Sequence, residues 1–97
     1  MYARVSTFRA AQAMIEAGLR NVQDIVLPGL REMKGFVHGY WLADRQRAEV
    51  LAVTLWETEE DMQASAGAIN QLRQQAMSAA GITEPPTITE YEVLVEG

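Results

Sequence analysis

The run Glu49 to Trp56, Glu-Val-Leu-Ala-Val-Thr-Leu-Trp, constrains the fold more than any other stretch of this chain. Its β-branched and aromatic residues suit a pleated strand. Alternation puts Val50, Ala52, Thr54 and Trp56 on one side and Leu51, Val53 and Leu55 on the other. Both sides are largely apolar, so both need a cover. The strand then passes directly into Thr58-Glu59-Glu60-Asp61, which reads as a helix start. Thr58 can cap, with Asp61 three residues on in a variant of the capping box. The acidic run also suits the positive end of the helix dipole.

The rest of the chain arranges itself around that strand. Tyr2 to Phe8 alternates with period two, setting Ala3, Val5 and Thr7 against Tyr2, Arg4, Ser6 and Phe8, and predicts a strand. From Ala10 to Met33, Met14, Ile15, Leu19, Val22, Ile25, Val26, Leu30 and Met33 recur at helical spacing. Pro28-Gly29 should break or kink this helix, because proline has no amide to donate. The expectation is a main helix to about Val26, a short second piece from Gly29 to Met33, and a stop at Lys34-Gly35. Phe36 to Ala43 is β-rich, and Asp44 to Ala48 is a polar hairpin loop. After Thr58, the stripe Met62, Ala66, Ile69, Leu72, Ala76, Met77 and Ala80 predicts a second helix ended by Gly81. Thr83 to Pro86 reads as a loop and Thr87 to Val95 as a last strand.

The order β-α-β-β-α-β makes a four-stranded antiparallel sheet with two helices on one face, an α+β, ferredoxin-like arrangement. Ninety-seven residues are one such domain, spanning 1–97. The bare sheet face would expose apolar side chains, and a large exposed apolar patch usually marks an interface. A second copy of the same sheet is the simplest cover, since symmetric homodimers are the commonest assemblies.

Composition excludes several function classes. The chain has no cysteine, so it has neither a disulfide framework nor a thiolate metal site. Its net charge is -5, and its eight Lys and Arg are scattered, whereas a nucleic-acid binder needs a clustered basic face. No apolar run approaches the ~18 residues of a membrane span, and no signal peptide opens the chain. The simplest reading is a soluble cytoplasmic protein with no nucleic-acid or membrane partner.

Gly35-Phe36 opening a strand, and Leu55-Trp56-Glu57-Thr58-Glu59-Glu60 closing the next into a helix, resemble the antibiotic-biosynthesis-monooxygenase-like branch of the dimeric α/β-barrel superfamily. Leu27 to Phe36 is similar to a group of small bacterial proteins of that superfamily. The resemblance implies a homodimer whose sheets face each other as a barrel. In members with activity it also implies a pocket between sheet and helices. Such members include cofactor-free oxygenases of aromatic polyketides, quinol oxygenases and haem-degrading enzymes. The haem-degrading relatives need a Trp and a His on the second helix and an Asn on the first strand. Here no Trp or His follows Trp56, and the first strand has no Asn, which argues against haem.

Four residues could carry chemistry. His38, the only histidine, could accept a proton near neutral pH, or could merely hydrogen-bond on its strand or face solvent. Tyr40 shares its strand face and could hold a phenolic or quinone oxygen. Trp56 could wall a flat ligand or fill the core where strand meets helix. Arg4 could bind an anion or, inside a barrel, pair with Glu90 or Glu92 as a structural ion pair at the dimer interface. The Glu57, Glu59, Glu60 and Asp61 cluster reads as a solvated helix start and not as a metal site, because hard cations want converging loop oxygens. The residues thus predict no metal and no cofactor. They leave two functions open: a cofactor-independent monooxygenase-like enzyme acting on a small aromatic or quinone-like compound, and a non-catalytic small-ligand binding or assembly module.

Overall fold

The computed structural model of the protein describes residues 1–9, 12–79 and 86–97. Four strands form one antiparallel sheet: β1 (Tyr2–Arg9), β2 (Phe36–Asp44), β3 (Glu49–Trp56) and β4 (Thr87–Glu92), in the spatial order β2-β3-β1-β4. β3, apolar on both sides, therefore lies inside the sheet, paired with β1 and β2. The helical segments pack on the face that carries Arg4, Ser6, Phe8, Val50 and Trp56. This is the expected α+β, ferredoxin-like topology. Among the described residues, no helix is long and apolar enough to cross a membrane.

The first helical layer departs from a simple break at proline. It consists of α1 (Gln12–Asn21), a π-helical turn (Val22–Val26) and α2 (Leu27–Arg31). The Leu27 amide donates to the Val22 carbonyl five residues back, so the chain widens by one residue and keeps going. Pro28 then falls in the first turn of α2, where a missing amide costs little. Hence the second piece runs over Leu27–Arg31, and not from Gly29 to Met33. The start expected at Ala10 lies outside the described residues.

The second helical layer is also divided, into α3 (Glu59–Ala64) and α4 (Ala66–Ala79). Thr58 caps α3 as expected, its hydroxyl accepting from the Asp61 amide at 3.0 Å. The division at Ser65 centres on one carbonyl. The Met62 carbonyl accepts from Arg4 Nη2 and from Ser65 Oγ, each at 2.7 Å, and a helix needs that carbonyl for its own ladder. The expected stop at Gly81, with 83–85 of the following loop, lies outside the described residues. β4 ends at Glu92, short of Val95, and just past it the Val93 amide donates to the Met1 carbonyl at 2.9 Å.

β2 contains a bulge. Phe36 faces Trp56, yet His38 faces Leu55, so β2 spends one residue more than β3 over that step. Strict alternation would put Phe36 with His38. The extra residue returns the Phe36 ring to the helix side, where it meets Trp56 edge-on at 5.5 Å and 68°. Gly35, at φ +82°, makes the turn into β2. A side chain there would collide with the Asp61 carboxylate of α3.

The core has two parts. Ile15 and Val50 centre one, with Phe8, Leu19 and Met77 around them. Leu30, Trp56, Met62 and Ile69 form the other, flanked by Tyr2, Val26, Met33, Phe36 and Trp41.

Candidate functional site

The two parts of the core do not close on each other. Between sheet and helices lies a partly open cavity, in which the centre of a water-sized sphere can occupy about 70 Å³. One water needs roughly 10–15 Å³ by the same measure, so the space suits a small organic molecule. Its walls come from both halves of the core: Phe8, Ile15, Leu19, Val50 and Met77 on one side, Val26, Leu30, Trp41 and Ile69 on the other. The π-helical turn adds Val22. The floor is the helix-facing row of β3 and β1, including Ala52, Thr54 and Ser6.

Trp41 supplies the indole of this cavity, and a glycine makes room for it. A Cβ on Gly39 would stand 2.7 Å from Cη2 and Cζ3 of the Trp41 ring, so the ring lies against bare backbone.

Three lining side chains are polar. Thr54 Oγ1 accepts from Trp56 Nε1 at 3.0 Å. Ser6, buried on β1, accepts at Oγ from Arg73 Nη2 at 3.2 Å. Arg73, half-buried on α4, also donates from Nη1 to Asn70 Oδ1 at 2.9 Å. Burial is the main cause that lowers the Arg73 guanidinium from its ordinary value, and the nearby charge of Arg4 adds to it. Arginine remains protonated at neutral pH even so. Sequence reasoning passed over Arg73, although its spacing gives it away. It stands four residues after Ile69 and three before Ala76, on the apolar side of its helix.

The four residues singled out from sequence do not come together. His38 and Tyr40 share a strand face, with ring centroids 6.3 Å apart, but it is the face turned away from the helices. Period two fixes this, since Trp41 between Tyr40 and Leu42 turns toward the cavity. Trp56 is fully buried against Leu30, Met62 and Ile69. Arg4 is buried under α3 and pairs with Glu90 of β4 at 3.1 Å, donating also to Ser65 Oγ at 3.3 Å and the Met62 carbonyl. The ion pair thus forms within one chain on the helix side of the sheet, and not at a dimer interface, because Arg4 shares the face of Ser6 and Trp56 that α3 covers.

The outer sheet face carries Leu51, Val53 and Leu55 in its middle, with Tyr40 (53% exposed), Leu42 (51%) and Tyr91 (55%) toward its edges. Among the described residues, no helix packs over this face, and Tyr40, Leu42 and Tyr91 stay exposed.

No protein-family model matches the chain. The uncharacterised protein Rv2557 of Mycobacterium tuberculosis strain H37Rv is 34% identical over 93 residues, which make up 96% of this chain and 41% of the relative. The chain thus spans less than half the length of the curated relatives it matches. Among solved structures, a monooxygenase from the gene ActVA-Orf6 of Streptomyces coelicolor, in complex with the ligand Nanaomycin D, superposes with a TM-score of 0.77 at 21% identity, over 99% of this chain and 92% of that one. A Caulobacter crescentus protein named for antibiotic biosynthesis monooxygenases gives 0.73 at 12% identity, over 97% and 90%. A dimeric ferredoxin-like protein from an uncultured marine organism gives 0.72 at 10%, over 99% and 90%. Sheet order, helical layer and these likenesses together give the chain the fold of the antibiotic-biosynthesis-monooxygenase-like proteins.

Proposed function

We propose that the cavity between sheet and helices is the binding site for a small aromatic or quinone-like compound, and that the protein is a cofactor-independent monooxygenase-like enzyme working as a homodimer. The observation that carries the reading is the cavity itself: an apolar slot walled by Trp41, with Ser6, Thr54 and Arg73 as its few polar groups. Such a combination is what a small-molecule site needs, apolar surface for affinity and sparse polar groups for orientation. The ligand held by the similar Streptomyces coelicolor monooxygenase supports the same substrate class. The uncovered apolar sheet face supports the homodimer, as does the dimeric assembly named for the marine relative in fold.

Protein should accelerate oxygen uptake by 1,4-naphthohydroquinone above the uncatalysed rate. Ala52→Phe, which fills the cavity from β3, should abolish that acceleration while leaving the circular dichroism spectrum unchanged. Acceleration that survives Ala52→Phe would put the chemistry outside the cavity. His38 and Tyr40 belong, in this reading, to the face where a second copy packs. His38→Ala should therefore leave turnover unchanged. A loss of about 10²–10⁴, the usual worth of a general base, would assign proton transfer to that outer face instead.

One observation favours a second reading, a non-catalytic binding module. None of Ser6, Thr54 and Arg73 belongs to a residue type that ordinarily titrates near neutral pH, so these polar lining groups offer no general base. Tight binding of the hydroquinone with no added oxygen uptake would select it.

A further inference from the structure

Among the described residues, no carboxylate answers the charge on Arg73. Among the described residues its two hydrogen bonds go to neutral acceptors, Asn70 Oδ1 and Ser6 Oγ. Glu90, the carboxylate that pairs with Arg4, is also taken by Gln63. Among the described residues, the charged group that acts on the Arg73 guanidinium is Arg4, of like sign. A chain with a net charge of -5 thus keeps a surplus positive charge on the wall of an apolar cavity. A half-buried guanidinium without a counter-ion is costly to maintain, and a ligand that brings the counter-ion relieves the cost. The two bonds made leave further guanidinium N–H groups for a bidentate partner, since arginine has five donors in a fixed fork. The Ser6 hydroxyl beside it, already accepting from Arg73, has a proton to donate.

We propose that the ligand of this cavity carries a single carboxylate on a flat apolar body, held by Arg73 and Ser6 with the apolar part lying toward Trp41. This rests on the cavity being the binding site and adds the charge and headgroup of what enters it. The chemistry selects for a monoanion. A second negative charge would lie among Ile69, Ala76 and Met77, where nothing pairs with it.

The test compares 2-naphthoate with 2-naphthylmethanol, the same ring system without the charge, by fluorescence titration of the full chain at neutral pH. Naphthoate should bind at least about tenfold more tightly, the usual scale of a charge-assisted hydrogen bond. Arg73→Met, which keeps the apolar stem, should remove that preference while leaving naphthylmethanol affinity within about twofold. Equal affinity of the two compounds for the wild-type protein would overturn the carboxylate and leave the cavity standing. A preference that persists in Arg73→Met would also overturn it, by placing the anion elsewhere. Binding of neither compound would overturn both this inference and the cavity on which it rests. The wild-type comparison decides the first and third outcomes without any variant, should Arg73→Met fail to fold.

Discussion

Single residues decide the shape of the cavity, and Gly39 shows how. Trp41 can lie against β2 only because the residue two before it has no side chain. Gly39→Ala would push a methyl group into the indole, and overpacking of this kind typically costs about 1–3 kcal/mol. Chemical denaturation should show that loss, and tryptophan emission should shift as the ring tips out. Unchanged stability and emission would mean the ring does not rest on Gly39. The chemistry of individual residues was only partly legible in the sequence. Arg4 was readable as a buried cation seeking Glu90, because first and last strands neighbour each other in this topology. Trp56 was readable as core. Arg73 was not read, although an arginine on an apolar helical stripe is itself a signal. The faces of His38 and Trp41 were readable as opposite, but alternation cannot say which one meets the helices.

At the scale of elements, local signals fared best where they involve near neighbours in sequence. Thr58 capping Asp61 is such a case. Thr58→Ala should cost about 1 kcal/mol, whereas Thr58→Ser should cost much less, because the cap needs only a hydroxyl oxygen. Equal losses in the two variants, read from thermal melts, would mean the bond carries no weight. Only half of the capping box forms. The Asp61 carboxylate lies against Gly35 and 3.9 Å from Lys34 Nζ. The three irregularities that sequence did not show are the bulge after Phe36, the π-helical turn and the division at Ser65. At least the last is set by a partner distant in the chain. Arg4 reaches the Met62 carbonyl from 58 residues away, and no periodicity within a helix could reveal that. The π-helical turn places Val22 and Val26 together on the cavity wall, and such turns recur at functional sites.

For the whole molecule, the sheet has two faces with two different tasks. One holds the helices and the cavity. The other presents Leu51, Val53 and Leu55 bordered by Tyr40, Leu42 and Tyr91, with no helix over them among the described residues. The proposed homodimer links folding to association, so the melting temperature should rise with protein concentration. Sedimentation equilibrium at micromolar concentration should give twice the chain mass, and a single species of one chain mass would contradict the dimer. Leu55→Lys, in the middle of that face, should favour the single chain and leave the cavity intact. The two-sided nature of β3 was the most informative feature of the sequence, since it predicts cover on both faces, and the helical layer supplies it on one.

The central claim is that ligand enters between sheet and helices and not onto the outer sheet face. Methyl-labelled protein titrated with 2-methyl-1,4-naphthoquinone tests it directly by nuclear magnetic resonance. Saturable shifts are expected at the methyl groups of Ile15, Leu19, Val22, Leu30, Val50 and Ile69, which line the cavity. No comparable shifts are expected at Leu42, Leu51, Val53 and Leu55 on the opposite face. Shifts confined to those four, or a silent spectrum at saturating quinone, would contradict it.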